Sequence, residues 1–228
     1  VSTDEICAAV QDIFEDNRTI VEPAGALPVA GIKRYVAREQ CRDKTFIAVN
    51  CGANVNFDRL RHIAERADIG GQREALIAVE IPEQKGSFLR FCEVLGNRSV
   101  TEFNYRYNDA SAAQIFVGLA LSDGRKEKEA IIGALKQAGY PVLDMSDNEM
   151  AKLHVRYMVG GRAPGLEHER LFRFEFPERP GALMKFLDAL GDRWNISLFH
   201  YRNHGADPGR VLAGFEVPPG DDEAFAAF

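Results

Sequence analysis

Few residue types in this chain could do chemistry, and their spacing narrows the choice. Four cysteines occur, Cys7, Cys41, Cys51 and Cys92, with no C-x-x-C pair among them. That usage fits reduced thiols better than a disulfide framework or a zinc site. Cys51 stands beside Gly52 in the turn Asn50-Cys51-Gly52-Ala53-Asn54. Strand, glycine turn and helix is the layout in which ligands sit at a strand's carboxyl end. His200 and His204 stand four apart, but on a strand and its following turn, where that spacing does not bring side chains to one face. No metal site is expected, and His62 and His154 read as packing or surface residues. The stronger candidates are two turns of one pattern, Pro82-Glu83-Gln84-Lys85-Gly86 and Pro177-Glu178-Arg179-Pro180-Gly181. A glycine allows a close backbone approach. The helix that follows offers backbone N–H groups to a carboxylate. Phe88 and Leu183 open the two helices and could line an aliphatic pocket. Leu187 and Leu190 extend the second helix face, and Arg98 and Tyr105 could add polar contacts. The plain alternative is that these leucines are helix-to-sheet core.

The elements that position these turns are written twice. Ile81 to Phe91 is answered by Phe176 to Phe186 at a spacing of 95 residues. After one residue of slip the spacing is 96, so Val100 answers Ile196 and Tyr105-Arg106 answers Tyr201-Arg202. Two copies of this length read as a duplicated small domain. Within one copy, Leu76 to Ile81 is strand-like by its β-branched content. Ser87 should cap a helix whose apolar stripe is Phe88, Phe91, Cys92 and Leu95. Gly96 should end it. Val100 to Tyr107 and Gln114 to Leu121 read as strands about an Asn108-Asp109 turn. Arg125 to Ala138 reads as a helix and Val142-Leu143 as a last strand. The order is β-α-β-β-α-β, the ferredoxin-like unit. The second copy should be truncated. Arg162 to Arg170 reads as a linker, and Trp194 as core.

The amino-terminal part has a different grammar. Ser2 and Glu5 form a capping box ahead of a stripe of Ile6, Val10, Ile13 and Phe14. Pro23 suits a first helical turn, with Leu27, Ala30, Tyr35 and Val36 on the buried side. Thr45 to Val49 reads as a buried strand and Asn56 to Ala67 as a helix. The chain has 228 residues, 46% of them hydrophobic, and a formal charge of −6. That is enough for one large or two to three small domains. Scattered Lys and Arg argue against nucleic acid. No apolar run reaches membrane-spanning length and no signal peptide is seen, so a cytoplasmic protein is expected.

The run Val49 to Arg61, with Glu22-Pro23-Ala24-Gly25-Ala26 before it, resembles the end of the catalytic domain of biosynthetic threonine dehydratase. The two repeats resemble that family's paired ACT-like regulatory subdomains. So do Ser99 to Arg106, Ala151 to Gly161 and Trp194 to Arg202. The resemblance covers nearly the whole chain. It implies an α/β (α+β) chain of two ferredoxin-like, ACT-like βαββαβ subdomains, the second truncated, behind a remnant of a fold-type II pyridoxal-phosphate domain. The implied division is 1–70 for the remnant, 71–147 for the first subdomain, 148–169 for a helix and linker, and 170–228 for the second subdomain. It implies a parent lyase that uses pyridoxal 5′-phosphate to deaminate L-threonine to 2-oxobutanoate and ammonia, inhibited by isoleucine, with valine opposing that inhibition. A homotetramer is implied too. Cys51 would hydrogen-bond the cofactor's pyridine nitrogen. Gly86, Phe88, Arg98, Tyr105, Gly181, Leu183 and Leu187 would bind effector. The family's Schiff-base lysine motif is not among these residues, so this segment alone is expected neither to retain the cofactor nor to catalyse. A stand-alone amino-acid-binding module is the rival reading, disfavoured by the Val1 to Ala67 stretch.

Overall fold

A computed structural model describes residues 1–107, 111–157, 163, 165–177, 179, 181–191, 193–202 and 208–227. The Asn108-Asp109 turn, His204, the linker residues Arg162 and Pro164, and Glu178 and Pro180 of the second turn lie outside them. The chain forms two compact units, Val1–Glu74 and Ala75–Phe228.

The first unit is helical. Helix α1 (Thr3–Asn17) starts at the expected capping box, with Ser2 and Glu5 bonded in both directions. Helices α2 (Pro23–Glu39) and α3 (Phe57–Gly70) pack around it through small side chains, among them Ala8, Ala9, Ala26, Ala30 and Ala67. The helix backbones meet closely: a Cβ on Gly70 would lie 2.0 Å from the Asp4 carbonyl oxygen. A buried pair, Arg66 Nε to Asp4 Oδ1 at 2.5 Å, ties α3 to the first turn of α1. Two expectations fail here. Thr45 to Val49 is not a strand, and Ile47 and Val49 are 89% and 72% exposed. A strand needs a paired neighbour, and no strand exists among the described residues of this stretch apart from Glu74, where the next unit's sheet begins. In α2 the buried side is Gly25, Ala26 and Ala30, while Leu27 and Tyr35 are exposed. Phe14 of α1 is exposed as well.

The second unit is one seven-stranded sheet in the order β4-β1-β3-β2-β6-β7-β5. The first repeat gives β1 (Glu74–Pro82), α4 (Ser87–Leu95), β2 (Val100–Arg106), β3 (Ala112–Ala120), α5 (Gly124–Gln137) and β4 (Val142–Asp144). A short helix α6 (Glu149–Leu153) and a 3-10 turn (Val155–Tyr157) lead to the second repeat. That repeat gives β5 (Glu169–Pro177), α7 (Ala182–Leu190), β6 (Asn195–Arg202), β7 (Pro208–Glu216) and α8 (Asp222–Ala227). The N-caps of α4 and α7 are Gly86 and Gly181, at φ of 79° and 83°. Ser87 was the expected cap. Only a residue tolerating the left-handed region fits there, and Ser87 becomes the buried first residue of α4.

The two repeats meet through β2 and β6, which pair antiparallel with Asn104 opposite His200. Those two residues are also equivalent in the repeat, 96 apart. A local two-fold axis therefore passes between them. Their neighbours cross in equivalent pairs, Phe103 with Tyr201 and Tyr105 with Phe199. The mates Phe103 and Phe199 meet edge to face across the axis, centroids 5.6 Å apart. Such contacts contribute about 0.5–1.5 kcal/mol beyond area burial. One continuous core joins Phe91 and Leu95 of α4, Leu135 of α5, Leu187 of α7 and Phe225 of α8 to alternate strand positions, odd-numbered in β1, β3 and β7 and even-numbered in β5. The opposite face holds a polar centre. Glu102, wholly buried, receives Arg156 Nε at 2.9 Å and Asn104 Nδ2 at 3.0 Å. Arg156 comes from the 3-10 turn, so the segment joining the repeats is pinned to the central strand. Arg106 and Ser197 both bond Glu169 at the start of β5, a further tie between the repeats.

Candidate functional site

The turn of each repeat faces the other repeat. In the first-turn cleft, Glu83, Gly86, Phe88 and Tyr105 meet Leu187 and Trp194. In the second-turn cleft, Pro177, Ala182, Leu183 and Tyr201 meet Arg98 and Val100. The two clefts are images under the axis. Phe88 corresponds to Leu183, Tyr105 to Tyr201, and Arg98 to Arg193, each arginine bonding the carbonyl oxygen of the leucine that ends its own repeat's helix, Leu95 or Leu190. Their contents differ. The first-turn cleft leaves about 20 Å³ free, because Phe88 and Trp194 fill it. The second leaves about 50 Å³, because Leu183 is smaller and only partly buried.

Of the residues singled out from sequence, Gly86, Phe88, Tyr105 and Leu187 gather in the first-turn cleft. Arg98 and Leu183 gather in the second. Gly181 caps the helix that bears Leu183 and lines neither cleft. Leu187 is 1% exposed and Phe88 is 7% exposed, so both belong to the core as well. Sequence reasoning passed over Glu83, Asn195, Trp194 and Tyr201. The repeat register was the signal that could have found one of them: once Tyr105 is chosen, its mate is Tyr201.

The polar groups are held in place. Tyr105 donates its hydroxyl to Glu83 Oε2 at 2.6 Å. Burial, then that carboxylate, pushes the phenol well above its ordinary value, so it stays a donor. Arg98 Nε bonds Glu127 Oε1 at 3.3 Å, and its Nη1 bonds the Leu95 carbonyl oxygen. Glu127 also accepts the backbone N–H groups of Ser122 and Asp123, at 2.7 and 3.1 Å. Those two bonds, with help from the Ser122 hydroxyl and Arg98, lower its carboxyl to about 2. Arg98 is thus a fixed cation at the cleft wall. A larger open hollow of about 310 Å³, near Glu80, Arg90 and Tyr140, draws on the first repeat alone. The clefts are favoured as the site because they recur and are walled by both repeats.

In the first unit, Cys51 is exposed, on the turn that docks against the start of α2. Glu22 N–H bonds the Gly52 carbonyl at 3.0 Å, and Glu22 Oε2 accepts the Asn54 N–H at 3.1 Å. A Cβ on Gly25 would lie 1.9 Å from the Cys51 carbonyl oxygen, so glycine is required for this docking. No group of three or more metal-ligating side chains is found among the described residues. None of the described helices is long and apolar enough to cross a membrane.

Comparison with known proteins decides the family. The family described as the C-terminal regulatory domain of threonine dehydratase matches residues 65–155 and 160–228. The chain belongs to that family. It is 59% identical over 223 residues to the L-threonine dehydratase biosynthetic IlvA of Escherichia coli, covering 98% of this chain and 43% of that protein. It is 48% identical to the mitochondrial threonine dehydratase of Saccharomyces cerevisiae, covering 100% of this chain and 42% of that one. The chloroplastic threonine dehydratase 1 of Solanum lycopersicum is 46% identical, over 96% of this chain and 36% of its own. The chain thus spans less than half the length of these relatives. The matched residues form a mixed α/β structure of the ACT-like kind.

Proposed function

We propose that this regulatory part binds isoleucine and valine in the two clefts, and so controls an enzyme that deaminates L-threonine to 2-oxobutanoate and ammonia for isoleucine synthesis. The observation that carries the reading is the pair of axis-related clefts, each built from one repeat's glycine-capped helix start and the other repeat's strand end. The ligand carboxylate meets the N–H groups at the start of α4 or α7, where the helix dipole favours an anion by about 0.3–1 kcal/mol. Arg98 strengthens that field in the second-turn cleft. The aliphatic tail lies on Phe88 or Leu183, each buried methylene contributing about 0.8 kcal/mol. Because each cleft has walls from both repeats, filling it biases their relative position, which is how binding at one place is felt elsewhere. Gly86, Tyr105 and Leu187 belong to one site in this reading, and Arg98 and Leu183 to the other, where Gly181 acts only by capping the helix that bears Leu183.

The division 1–70, 71–147, 148–169 and 170–228 is part of the same proposal, with the first stretch closing the catalytic domain. There Cys51 would donate its thiol hydrogen to the pyridine nitrogen of pyridoxal 5′-phosphate, the group that supplies the electron sink for elimination. The parent enzyme is a cytoplasmic homotetramer, and residues 1–228 alone are inactive.

Leu183→Phe tests the effector site. In the enzyme whose regulatory part this chain forms, the larger ring overfills the second-turn cleft and relieves isoleucine inhibition, with threonine turnover near normal. The measurement is an isoleucine titration of deamination beside a melting curve. An unchanged inhibition curve, or a melting loss with activity and inhibition falling together, returns Leu183 to the core and refutes its role as a ligand contact.

A further inference from the structure

Glu83 spends its two oxygens on two different repeats. Oε2 accepts the Tyr105 hydroxyl at 2.6 Å, from β2 of its own repeat. Oε1 accepts Asn195 Nδ2 at 3.3 Å, from β6 of the other. The first bond has the short length of a charge-assisted O–H···O⁻ contact and aims the carboxylate into the first-turn cleft. The second is at the long end of the range and is correspondingly weak. The free space in that cleft is about 20 Å³, with Leu187, Leu190 and Trp194 as its far wall. That volume holds one group of the size of a water molecule. An ammonium is such a group, and it carries three donors and no acceptor. Beside it lie the start of α4, suited to a carboxylate, and the Phe88 ring, suited to hydrocarbon.

We propose that Glu83 receives the α-ammonium group of an amino-acid ligand in the first-turn cleft, and that the ammonium takes Oε1 from Asn195. This rests on the reading that the cleft binds amino acids, and adds to it a residue and a consequence. Capture removes a hydrogen bond that joins the repeats, while the neighbouring cross-repeat bond from Lys85 Nζ to the Arg193 carbonyl, 3.1 Å, remains. Occupancy is thereby converted into a local loosening of one repeat against the other. Glu83 also sets specificity, since a carboxylate ligand with the same hydrocarbon and no ammonium leaves the Asn195 bond in place.

The chain's single tryptophan, Trp194, lines this cleft and not the second-turn cleft, so its fluorescence distinguishes the two. The 228-residue chain is titrated with isoleucine and with 3-methylpentanoate, which lacks the ammonium. The expected result is at least tenfold tighter binding of isoleucine. Glu83→Gln should lose at least tenfold for isoleucine and leave 3-methylpentanoate unchanged, and Asn195→Ala should tighten isoleucine. Equal affinity of the unaltered chain for the two compounds overturns the proposal without any variant. So does an unchanged isoleucine affinity in Glu83→Gln, or an equal loss for both compounds, which marks a purely structural role. If neither compound alters the Trp194 signal, the cleft is not an amino-acid site, and the underlying reading falls with the proposal.

Discussion

Arg156→Ala should unfold the regulatory unit at a much lower temperature, because it strands a buried carboxylate. Glu102 has no exposed surface, and burial already holds its carboxyl above the ordinary value despite the Arg156 guanidinium. Removing one partner of a buried pair costs about 3–5 kcal/mol. Arg202 lies opposite Glu102 in the β2–β6 register and compensates part of the charge. That places the cost near the lower figure, about 3 kcal/mol, on the same principle. For a domain of this size each kcal/mol moves the melting temperature by about 2–4 °C, so the shift should be about 6–12 °C. The loss should shrink as pH falls towards 5. A carboxyl whose folded pKa is raised favours the fold in its protonated form, and without Arg156 the pKa rises further. Glu102→Leu combined with Arg156→Met, which removes both charges, should recover most of the loss. Calorimetry at pH 7 and pH 5 checks both points. A shift below about 2 °C, less than about 1 kcal/mol by the same conversion, would refute the claim that this pair pins the connecting segment to the sheet.

Two further outcomes follow from contacts described above. Glu127→Gln should cost about 1 kcal/mol at pH 7, the usual worth of a helix-capping acceptor. Its carboxyl is lowered from 4.5 to about 2, so its contribution is full above 4.5 and lost as pH falls through 2. Denaturant curves of the variant should therefore lack part of the acid slope in that window, and a slope equal to that of the unaltered chain would contradict the role. Gly25→Ala should destabilise the first unit by about 1–3 kcal/mol, since its Cβ meets the Cys51 carbonyl oxygen. Amide exchange in α2 would show this as lost protection, and unchanged exchange would tell against the tight docking.

The repeat made most of the second unit legible. Two copies of one strand-turn-helix pattern place β1, α4, β5 and α7 within a few residues, since the glycine, the apolar stripe and the terminal glycine all act locally. What stayed hidden is non-local. Thr45 to Val49 has a strand's composition, but composition cannot supply a neighbouring strand to pair with. Ser87 has a capping hydroxyl, yet the backbone there needs positive φ, which only Gly86 gives at no cost. Arg98 and Tyr105 both read as polar contacts. Arg98 precedes β2 and Tyr105 lies near its far end, with the strand from Val100 to Tyr105 alone spanning about 17 Å. Each therefore serves a different cleft. Glu83 was visible in the motif, but its partner Asn195 belongs to the other repeat, and nothing in the order of residues says which elements of the two copies will meet.

The axis between Asn104 and His200 has a consequence for descent. Two identical single-repeat chains pairing this way would be obliged to set the same side chain against itself at the axis, and to build two identical clefts. A duplication fused into one polypeptide lifts that obligation. Asn can face His, and Phe88 can stand where its mate is Leu183. Selection can then alter one cleft without touching the other, so that a single ancestral cleft becomes a pair free to diverge inside one polypeptide.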